Sequence, residues 1–588
     1  MNHLVFGFIA GLAVILVACG SEIPHSPTPI ITTETATPDI APPRAPNPQA
    51  TVPALTVPPG DPIRPGCGDY RLLVTLRTNA VEAAMRVAGP PQAVDVVWPL
   101  SGPGLTPGEE GPGPHTYAED NRELFGISGN TAQEPLEAQF LVLISGVQPG
   151  EHLQLEMGQD APEAAETQVT IANTASGLDT PGEPLAHIRL ADAYQAFSVD
   201  ICAAEAMPLP DPSPTLAPRL LAFFYPWWST TAESQGPYQC GGDAFAWIRE
   251  DDDGKRHIVT PHLPIARDGE QILYAQTHCW QEVEDDFGRR GLIYDVWESH
   301  FLAEQMALAK AYGLDGFVVS VHGDNPAEMR FLAERALPGA RQVGFTIAPL
   351  YEAPETEGWS ADEQRDAQRV GGQLRAVLER MANSPAALTA PGPDGQERVV
   401  LFIDPAVLAR FTTPQAWATL RAVLDEAGVP YFLWSGPSAF AWAFTVGLDG
   451  VYNDLEVIET LEPPLGLPPY ALRDERRLAY RAAAWTARER GMPLALPVVL
   501  GWEKSPLLAD DNAVALPRDY GAPGDPGRYY RIRWEDALEQ HPDWILITSW
   551  NEWAEGTELE PSDVYPPSRF DYLQATWAYA CRWRGQCP

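Results

Sequence analysis

The sequence predicts two folded parts, a small all-β sandwich followed by an α/β part that forms a (β/α)8 (TIM) barrel. The chain has 588 residues, which is too long for one core because single cores stop growing at about 250–300 residues. Short alternating segments separated by Gly and Pro fill the first part, and apolar segments alternate with amphipathic ones in the second. We therefore divide the chain into a signal peptide (1–19), a tether (20–65), an Ig-like β-sandwich (66–205), a linker (206–218) and the barrel (219–588).

The N-terminus is typical of an export signal. The apolar run from Leu4 to Val17 is broken only by small residues, and it is shorter than the roughly 20 residues that span a bilayer. The order Leu16-Val-Ala-Cys19 resembles the bacterial lipobox, in which Cys19 is acylated; an ordinary signal peptide or a short anchor is the alternative. We expect an extracytoplasmic protein, lipid-anchored to the bacterial cell membrane, with the Pro- and Thr-rich residues 20–65 as an extended disordered tether.

The cysteines fit an oxidising compartment. Of the seven, lipidation of Cys19 leaves an even set of six. The simplest pairing is sequential, although six cysteines allow about 15 arrangements. The predicted pairs are Cys67–Cys202, Cys240–Cys279 and Cys581–Cys587. Metal binding is the alternative, but the sequence has no CxxC or HExxH pattern, so we predict no metal and no other cofactor.

The charge of the chain argues against polyanionic partners. With 79 acidic and 39 basic residues the formal net charge is −40, which disfavours nucleic acid and anionic lipid surfaces. A neutral ligand is the natural partner, although the same excess also simply keeps an exported surface soluble.

Five segments of the first part are predicted strands. Each alternates apolar and polar residues, and Gly and Pro separate them, as in a β-sandwich. They are Tyr70–Leu76, Ala93–Trp98, Glu137–Ile144, Gln168–Ile171 and Ala196–Ile201. A disulfide between Cys67 and Cys202 would join the two ends of this part.

Eight strands and intervening helices predict the barrel. The predicted strands are Leu220–Tyr225, Gly316–Val321, Val343–Pro349, Val399–Ile403, Tyr431–Trp434, Gly450–Tyr452, Leu494–Leu500 and Trp544–Trp550. The predicted helices are Trp297–Tyr312, Glu328–Ala336, Ala361–Met381, Pro414–Ala427 and Leu472–Arg490. Catalytic residues of such barrels lie where strands end and loops begin.

The last predicted strand runs directly into acids and indoles. Asn551, Glu552 and Glu555 follow it, and Trp550 and Trp553 flank them. Glycoside hydrolysis requires one group that protonates the leaving oxygen and a second that attacks or removes a proton. Indoles offer flat apolar faces to sugar rings, and an Asn amide can both donate to and accept from a hydroxyl. This stretch therefore predicts sugar chemistry.

The same stretch carries a resemblance to a known family. Ile547-Thr-Ser-Trp-Asn-Glu-Trp-Ala-Glu-Gly-Thr-Glu-Leu-Glu-Pro561 is close to that family's strand-end motif, and further landmarks follow the family's order across about 219–575. These are Phe223-Phe-Tyr-Pro-Trp-Trp228, Gln305-Met306, Ala311-Tyr-Gly-Leu-Asp-Gly-Phe317, Gly447-Leu-Asp-Gly-Val-Tyr452 and Tyr529-Tyr-Arg-Ile-Arg-Trp-Glu-Asp-Ala-Leu538. Here the chain resembles glycoside hydrolase family 99 and the related endo-α-mannosidase-like barrels.

The resemblance implies roles for several residues. Glu555 matches the general acid/base. Glu552 matches the base that assists attack by the sugar's own 2-hydroxyl, with a 1,2-anhydro intermediate and net retention; a covalent carboxylate intermediate is the plainer inference from two acids alone. Tyr225 and Tyr452 match positions near the bound sugar, and Glu560 matches the acid that closes the motif. We add further substrate contacts from their places at strand ends: Trp227, Trp228, His322 and Trp502.

Four positions depart from the family's pattern. Ala554 stands where a His is frequent, and the segment Ser320-Val-His-Gly323 stands where the family tends to have two Trp residues. Ile347-Ala-Pro349 stands in place of Ile-Glu-Pro, which removes a polar sugar contact unless Glu352 replaces it, and Glu503 stands where an Asp-containing loop is usual. These changes keep the acid and the base and bear on the substrate.

We therefore expect a retaining, endo-acting glycoside hydrolase for α-mannose-containing glycans. Its partner is a polysaccharide or oligosaccharide, its only membrane contact is the lipid anchor, and we expect a monomer that binds no nucleic acid. One alternative is a non-catalytic surface carbohydrate-binding protein on a hydrolase scaffold. Another is a surface adhesion protein in which the sandwich binds the ligand.

Overall fold

The computed structural model describes residues 66–586 with gaps. The gaps are 91–93, 102–112, 120–121, 129, 131–133, 161–165, 175–180, 191–192, 207–214, 231–245, 252, 269–270, 275–277, 324, 353–357, 361, 405–406, 408–409, 412, 436–446, 453–468, 503–517, 519–526 and 564–569. The predicted signal peptide with Cys19, the tether, most of the linker, Cys240, Cys587 and Glu503 lie outside the described residues.

The first part is a β-sandwich of two antiparallel five-stranded sheets, in the orders β3-β6-β1-β8-β9 and β10-β7-β2-β5-β4. Its strands are β1 Tyr70–Thr78, β2 Ala83–Gly89, β3 Val94–Ser101, β4 Gly113–Glu119, β5 Arg122–Ser128, β6 Leu136–Ser145, β7 Leu153–Gln159, β8 Thr167–Asn173, β9 Pro184–Leu190 and β10 Tyr194–Val199. Strand β2 alternates buried and half-buried residues along its length, which is the period of two that one buried face requires. The inward residues of both sheets form one core.

All five predicted strands of the sandwich are present, and β2, β4, β5, β7 and β9 were not predicted. Strand β4 shows why. Its sequence, Gly-Pro-His-Thr-Tyr-Ala-Glu, has no apolar alternation, and it lies at the edge of its sheet, where one side of the ladder is unpaired.

The disulfide Cys67–Cys202 is confirmed and joins the two ends of the sandwich, with Cα atoms 5.5 Å apart. Cys279 and Cys581 are also disulfide-bonded. Because Cys240 and Cys587 lie outside the described residues, those two pairings stay predictions.

The second part is a closed barrel of eight parallel strands. In order around the barrel they are β11 Arg219–Phe224, β18 Gly316–His322, β19 Thr346–Glu352, β21 Glu397–Ile403, β22 Tyr431–Ser435, β23 Gly450–Tyr452, β24 Leu494–Val499 and β25 Trp544–Thr548. Pairing of β19 with β21 closes the ring, and β25 lies beside β11. All eight predicted strands are confirmed, with ends that differ by up to three residues, because their near-continuous apolar sequences are typical of strands buried on both faces.

Helices surround the barrel. They are α1 Ser299–Ala311, α2 Pro326–Phe331, a π-helical turn Leu332–Ala336 that continues into α3 Leu337–Val343, α4 Glu363–Met381, α5 Pro414–Asp425, α6 Pro469–Glu489, α7 Arg528–Glu539 and α8 Asp571–Arg584. The five predicted helices are confirmed. Their starts follow capping chemistry: Asn325, Asp362 and Thr413 accept hydrogen bonds from first-turn N–H groups of α2, α4 and α5. Helices α3, α7 and α8 were not predicted.

The chain between β11 and α1 holds three small hairpins that were not predicted either. They are β12 Ile248–Glu250 with β13 Arg256–Ile258, β14 Arg267–Asp268 with β15 Gln271–Ile272, and β16 Gln281–Glu284 with β17 Arg290–Ile293; β20, Thr389–Pro391, pairs with β21 at the barrel edge. Such short strands have too few residues to show a period.

The sandwich packs against the barrel through helix α6. Arg71 of β1 is fully buried. Its guanidinium lies 3.1 Å from the ring centre of Trp485 and 3.3 Å from Oε2 of Glu489, and it donates to Thr174 O over 2.8 Å. Asp69 and Arg481 add a second ion pair between the two parts. None of the described helices is both long and apolar enough to cross a bilayer.

Candidate active site

The loop after β25 folds back on itself and presents the two predicted acids. Ser549 N donates to Thr557 O over 2.8 Å, and Leu559 N donates to Ser549 O over 2.9 Å. Gly556 has φ +61°, a left-handed conformation that glycine adopts without strain. The chain therefore reverses directly after Glu555, and residues 549–560 form a compact loop at the C-terminal mouth of the barrel.

Asn551 fastens this loop to the first barrel strand. Its side chain is fully buried. Oδ1 accepts from Tyr225 N over 2.8 Å, and Nδ2 donates to Tyr225 O over 2.9 Å. These contacts fix the loop against the end of β11, and a direct contact of Asn551 with a sugar stays a prediction.

Glu552 is buried without full hydrogen bonding. The residue is 6% exposed. Its N–H donates to Ser549 Oγ over 2.7 Å, and its Oε1 accepts from Ala554 N over 3.2 Å. Oε2 is buried and has no hydrogen-bond partner among the described residues. Leaving a buried acceptor unsatisfied costs about 1–3 kcal/mol, so this oxygen is an exception that calls for an explanation.

The electrostatics of Glu552 couple it to Glu555. Burial raises the pKa of Glu552 well above its usual value, and the negative charge of Glu555 raises it further. The charges of Glu352 and Glu558 act in the same direction, whereas the N–H of Ala554 opposes them. Glu555 itself is half-buried. The structure thus brings the two predicted catalytic acids into one electrostatic unit.

The neighbouring acid Glu560 is fully satisfied. It is completely buried, and its two oxygens accept from Tyr274 Oη over 2.7 Å and from Tyr294 Oη over 2.6 Å. Trp553 Nε1 donates to the same Tyr294 oxygen over 2.8 Å. Burial raises the pKa of Glu560 to about 7 against the opposing hydrogen bonds of the tyrosines. The predicted substrate contact of Glu560 stays untested, and the contacts seen here hold the loop against the hairpin insertion.

Glu558 is held through one of its two oxygens by His262 and Arg518. Its Oε1 lies 2.8 Å from His262 Nδ1 and 2.9 Å from Arg518 Nη2. Arg518 also donates to the backbone oxygen of Gly556 over 2.7 Å. This ion pair therefore fixes the returning half of the loop.

Most of the predicted sugar platforms are packed inside the protein. Trp550 is fully buried, with its ring centre 5.2 Å from that of Phe317. The other buried members of the predicted set are Trp228, Trp502, Trp553, Tyr225 and Tyr452. Trp227 is half-buried, with its ring 4.6 Å from that of Tyr225. Of the predicted tryptophans, Trp227 alone keeps a partly accessible ring in the described part of the chain.

A second polar group lies at the ends of the second and third strands. His322 and Glu352 are register partners in the β18–β19 pair, and His322 Nε2 lies 3.3 Å from Glu352 Oε2. Desolvation raises the pKa of Glu352 to about 7, although the nearby His322 lowers it. Because Glu352 also raises the pKa of Glu552, the structure places His322 and Glu352 within electrostatic reach of the predicted base.

Arg249 is a neighbour of Glu552 that the sequence did not predict. It lies on β12. Burial lowers the pKa of Arg249, and the charge of Glu552 partly offsets this. Arg249 belongs to an insertion without periodic pattern, so only the three-dimensional path of the hairpin reveals it. No group of three or more His, Cys, Asp or Glu among the described residues is arranged to hold a metal ion.

Comparisons with known proteins give similar barrels at low identity. No family model matches the chain. The GH99 endo-α-mannosidase from Bacteroides thetaiotaomicron, solved with bis-tris-propane, aligns over 63% of this chain and 98% of its own with 17% identity and a TM-score of 0.43. A second structure of that enzyme gives 16% identity, coverage of 63% and 99% and a TM-score of 0.41. A glycoside hydrolase-like protein gives 12% identity, coverage of 64% and 96% and a TM-score of 0.38. These scores say nothing about activity.

Proposed function

We propose that the barrel is a retaining, endo-acting glycoside hydrolase for α-mannose-containing glycans, with Glu555 as general acid/base and Glu552 as the base that assists the substrate 2-hydroxyl. The observation that carries the proposal is the buried Oε2 of Glu552, which has no hydrogen-bond partner among the described residues and belongs to a carboxyl coupled to Glu555.

The contrast within one loop supports this assignment. Glu560 is at least as buried as Glu552, yet each of its two oxygens accepts a hydrogen bond from a tyrosine. Buried polar groups in native proteins are nearly always hydrogen-bonded, and a catalytic role is one of the explanations for an exception. A sugar hydroxyl that donates to Oε2 supplies the missing bond, and the C-terminal mouth of the barrel is where this fold places its chemistry.

The two carboxyls divide the proton transfers between them. In the first step Glu552 removes the proton of the 2-hydroxyl while O2 attacks the anomeric carbon, and Glu555 donates its proton to the leaving oxygen. In the second step water attacks the anomeric carbon, Glu555 takes a proton from that water, and Glu552 returns its proton to O2. Two inversions at one carbon give net retention, and both acids end in their starting states.

The raised pKa of Glu552 and its interaction with Glu555 mean that the two carboxyls retain one proton between them, and the proposed first step uses the form in which that proton is on Glu555 and Glu552 is ionised. A carboxylate with a raised pKa binds a proton more strongly once it is ionised, and general bases work best with a pKa near the working pH. Because only the ionised form accepts a proton, activity should fall as the pH drops through the raised pKa.

The choice of mannose depends on the motif resemblance from Ile547 to Pro561 and on no contact with a sugar. The lipid anchor at Cys19, the extracytoplasmic location and the monomeric state belong to the same proposal and depend on the sequence alone.

A binding protein without activity is the second candidate. The observation that favours it is the burial of most predicted platforms, together with Ala348 and His322 at positions where the family has other residues. In this case the acids would hold a glycan without cleaving it.

The test incubates the purified chain with α-mannans and glucosylated mannosides and measures released oligosaccharide. Glu552→Gln and Glu555→Gln should each lower kcat/KM by about 10²–10⁴-fold while glycan binding remains. Glu284→Gln on the exposed hairpin is the matched control, since it also removes one carboxylate charge. Binding of these glycans without any release by the wild-type chain would select the second candidate.

A further inference from the structure

Several titratable side chains at the barrel mouth have no part in the steps above. They follow the second, third and fourth strands and include His322, Glu328, Glu352 and Asp404. His322 and Glu352 stand out because the strand register pairs them directly. His322 lies where the sequence departs from the family pattern, and Glu352 is the candidate replacement for the polar contact that Ala348 removes.

Glu328 holds His322 in one orientation. Its Oε2 accepts from the backbone N–H of His322 over 2.6 Å and lies 3.1 Å from the ring Nδ1. Asn325 Nδ2 donates to the other oxygen of Glu328 over 3.0 Å. A carboxylate that collects donors in this way favours the proton on Nδ1, since the partner of one ring nitrogen fixes the tautomer.

The other ring nitrogen, Nε2, therefore faces Glu352, and a proton between the two groups can be bound by either of them. The separation of Nε2 and Oε2 is 3.3 Å. With Nδ1–H directed at Glu328, a proton between Nε2 and Oε2 belongs either to a cationic imidazole beside a carboxylate or to a neutral imidazole beside a carboxylic acid. The two forms have the same total charge but place it differently, and loss of that proton makes the pair more negative.

The groups around Glu352 make its charge easy to change. Desolvation raises its pKa to about 7; His322 lowers it, whereas the charges of Asp404 and Glu328 raise it. These neighbours come from β18, from the end of β21 and from helix α2. Glu352 can therefore gain or lose its proton near neutral pH.

The charge of Glu352 acts across the barrel mouth. It raises the pKa of Glu552, after the larger effects of burial and Glu555, and Glu558 contributes in the same direction. Arg249 is the cation that interacts with Glu552 from the hairpin insertion. Glu352 and Glu552 follow the third and eighth strands, so the connection runs through space and not along one element.

We propose that His322 and Glu352 are positioning residues that hold one proton between them and thereby set the charge of Glu552. The inference depends on the proposed function, because Glu552 must be ionised to act as the base. While the pair keeps its proton it is neutral overall, and Glu552 ionises more readily. Once the pair loses that proton it carries one negative charge, and Glu552 retains its own proton to higher pH.

The decisive variant is Glu352→Gln, which keeps the size of the side chain and removes its charge. We expect the acid limb of the kcat/KM profile to move to lower pH by about 0.5–1 unit, with little change in KM. Glu352→Asp keeps the charge and should leave the limb near its wild-type position, and Glu284→Gln should not move it. An unmoved limb in Glu352→Gln would overturn the proposal, and a rise in KM without a shift would assign Glu352 to direct sugar binding.

A second measurement needs no substrate. The infrared band of protonated carboxyls is followed against pH in the full chain and in Glu352→Gln and Glu552→Gln. The difference between the wild-type and Glu552→Gln spectra isolates the infrared band of Glu552. The pH at the midpoint of that band's titration should fall when Glu352 is replaced. If no glycan is cleaved but this midpoint shifts, the proposed function fails and the coupling stands. If glycans are cleaved and neither midpoint nor limb moves, the proposed function stands and the inference fails.

Discussion

The acids at the two ends of the barrel have opposite surroundings. At the N-terminal end, three aspartates immediately precede strands: Asp315 before β18, Asp449 before β23 and Asp543 before β25. Each accepts from the backbone N–H of a residue on the neighbouring strand, namely Leu220, Leu433 and Leu494, over 2.7–2.9 Å. Each also faces an arginine. At the C-terminal end, Glu552 has one backbone donor and a second oxygen without a partner in the described residues.

The surroundings of the aspartates suit a role in stability, whereas those of Glu552 suit a role in chemistry. A carboxylate that accepts a backbone hydrogen bond and faces a cation stabilises the start of a strand. A desolvated carboxyl among other acids costs free energy and gains a raised pKa, which is what acid–base chemistry uses. The sandwich packs near the N-terminal end of the barrel. Arg71 contacts Trp485 and Glu489 near the C-terminal end of α6, and α6 leads into the start of β24.

The largest effect is expected from Glu552→Gln. Loss of the base should lower kcat/KM by about 10²–10⁴-fold, whereas the free energy of unfolding should stay equal or rise because a costly buried carboxyl is removed. Activity assays and urea denaturation on the same preparation measure both. A variant that loses activity only because it unfolds would place Glu552 with the structural acids.

Asp543→Asn should show the reverse pattern. Oδ1 accepts from Leu216 N over 2.7 Å, and Oδ2 accepts from Leu494 N over 2.9 Å beside Arg488. An Asn presents an NH₂ group to donors on one of these sides, so unfolding free energy should fall by about 3–5 kcal/mol. Urea denaturation measures the loss. The protein that remains folded should keep its kcat/KM, and a large loss of activity per folded molecule would contradict the contrast between the two ends.

The contribution of Glu560 to the free energy of unfolding depends on pH. A carboxyl whose pKa rises from its usual 4.5 to about 7 on folding binds more protons folded than unfolded between those values, so stability falls as the pH rises from about 4.5 to 7. Glu560→Gln removes this contribution, on the order of 3 kcal/mol. Denaturation of both chains at pH 4.5 and pH 7.5 measures the difference, and Glu284→Gln is the control. An equal pH dependence in wild type and Glu560→Gln would mean that the tyrosines keep Glu560 ionised throughout.

The sequence predicted the barrel well because strands buried on both faces are apolar throughout, and it predicted Glu552 and Glu555 because they directly follow such a strand. It did not predict how Asn551 and Trp550 are used. A strand-end amide can face a ligand or the backbone, and only the pairing of β25 with β11 decides that Asn551 contacts Tyr225. Arg249, Tyr274 and Tyr294 come from the hairpin insertion, whose path no local pattern encodes. The sequence named Glu352 only as a replacement for a missing polar contact, and its pairing with His322 follows from the strand register.

The smallest effect is expected when the two tyrosine hydrogen bonds to Glu560 are removed one at a time. Tyr294→Phe removes a donor to Glu560 and the acceptor of Trp553 Nε1, whereas Tyr274→Phe removes only a donor to Glu560. Tyr294→Phe should lower the unfolding free energy by about 1–3 kcal/mol, since it leaves the indole N–H unsatisfied as well, and Tyr274→Phe by about 1 kcal/mol. Both tyrosine hydrogen bonds lower the pKa of Glu560, so either variant should raise that pKa and extend the fall of stability to higher pH. Urea denaturation between pH 5 and pH 8 measures both effects. Equal losses of unfolding free energy in the two variants would show that Trp553 Nε1 finds another acceptor. Tyr294 would then hold the loop through Glu560 alone.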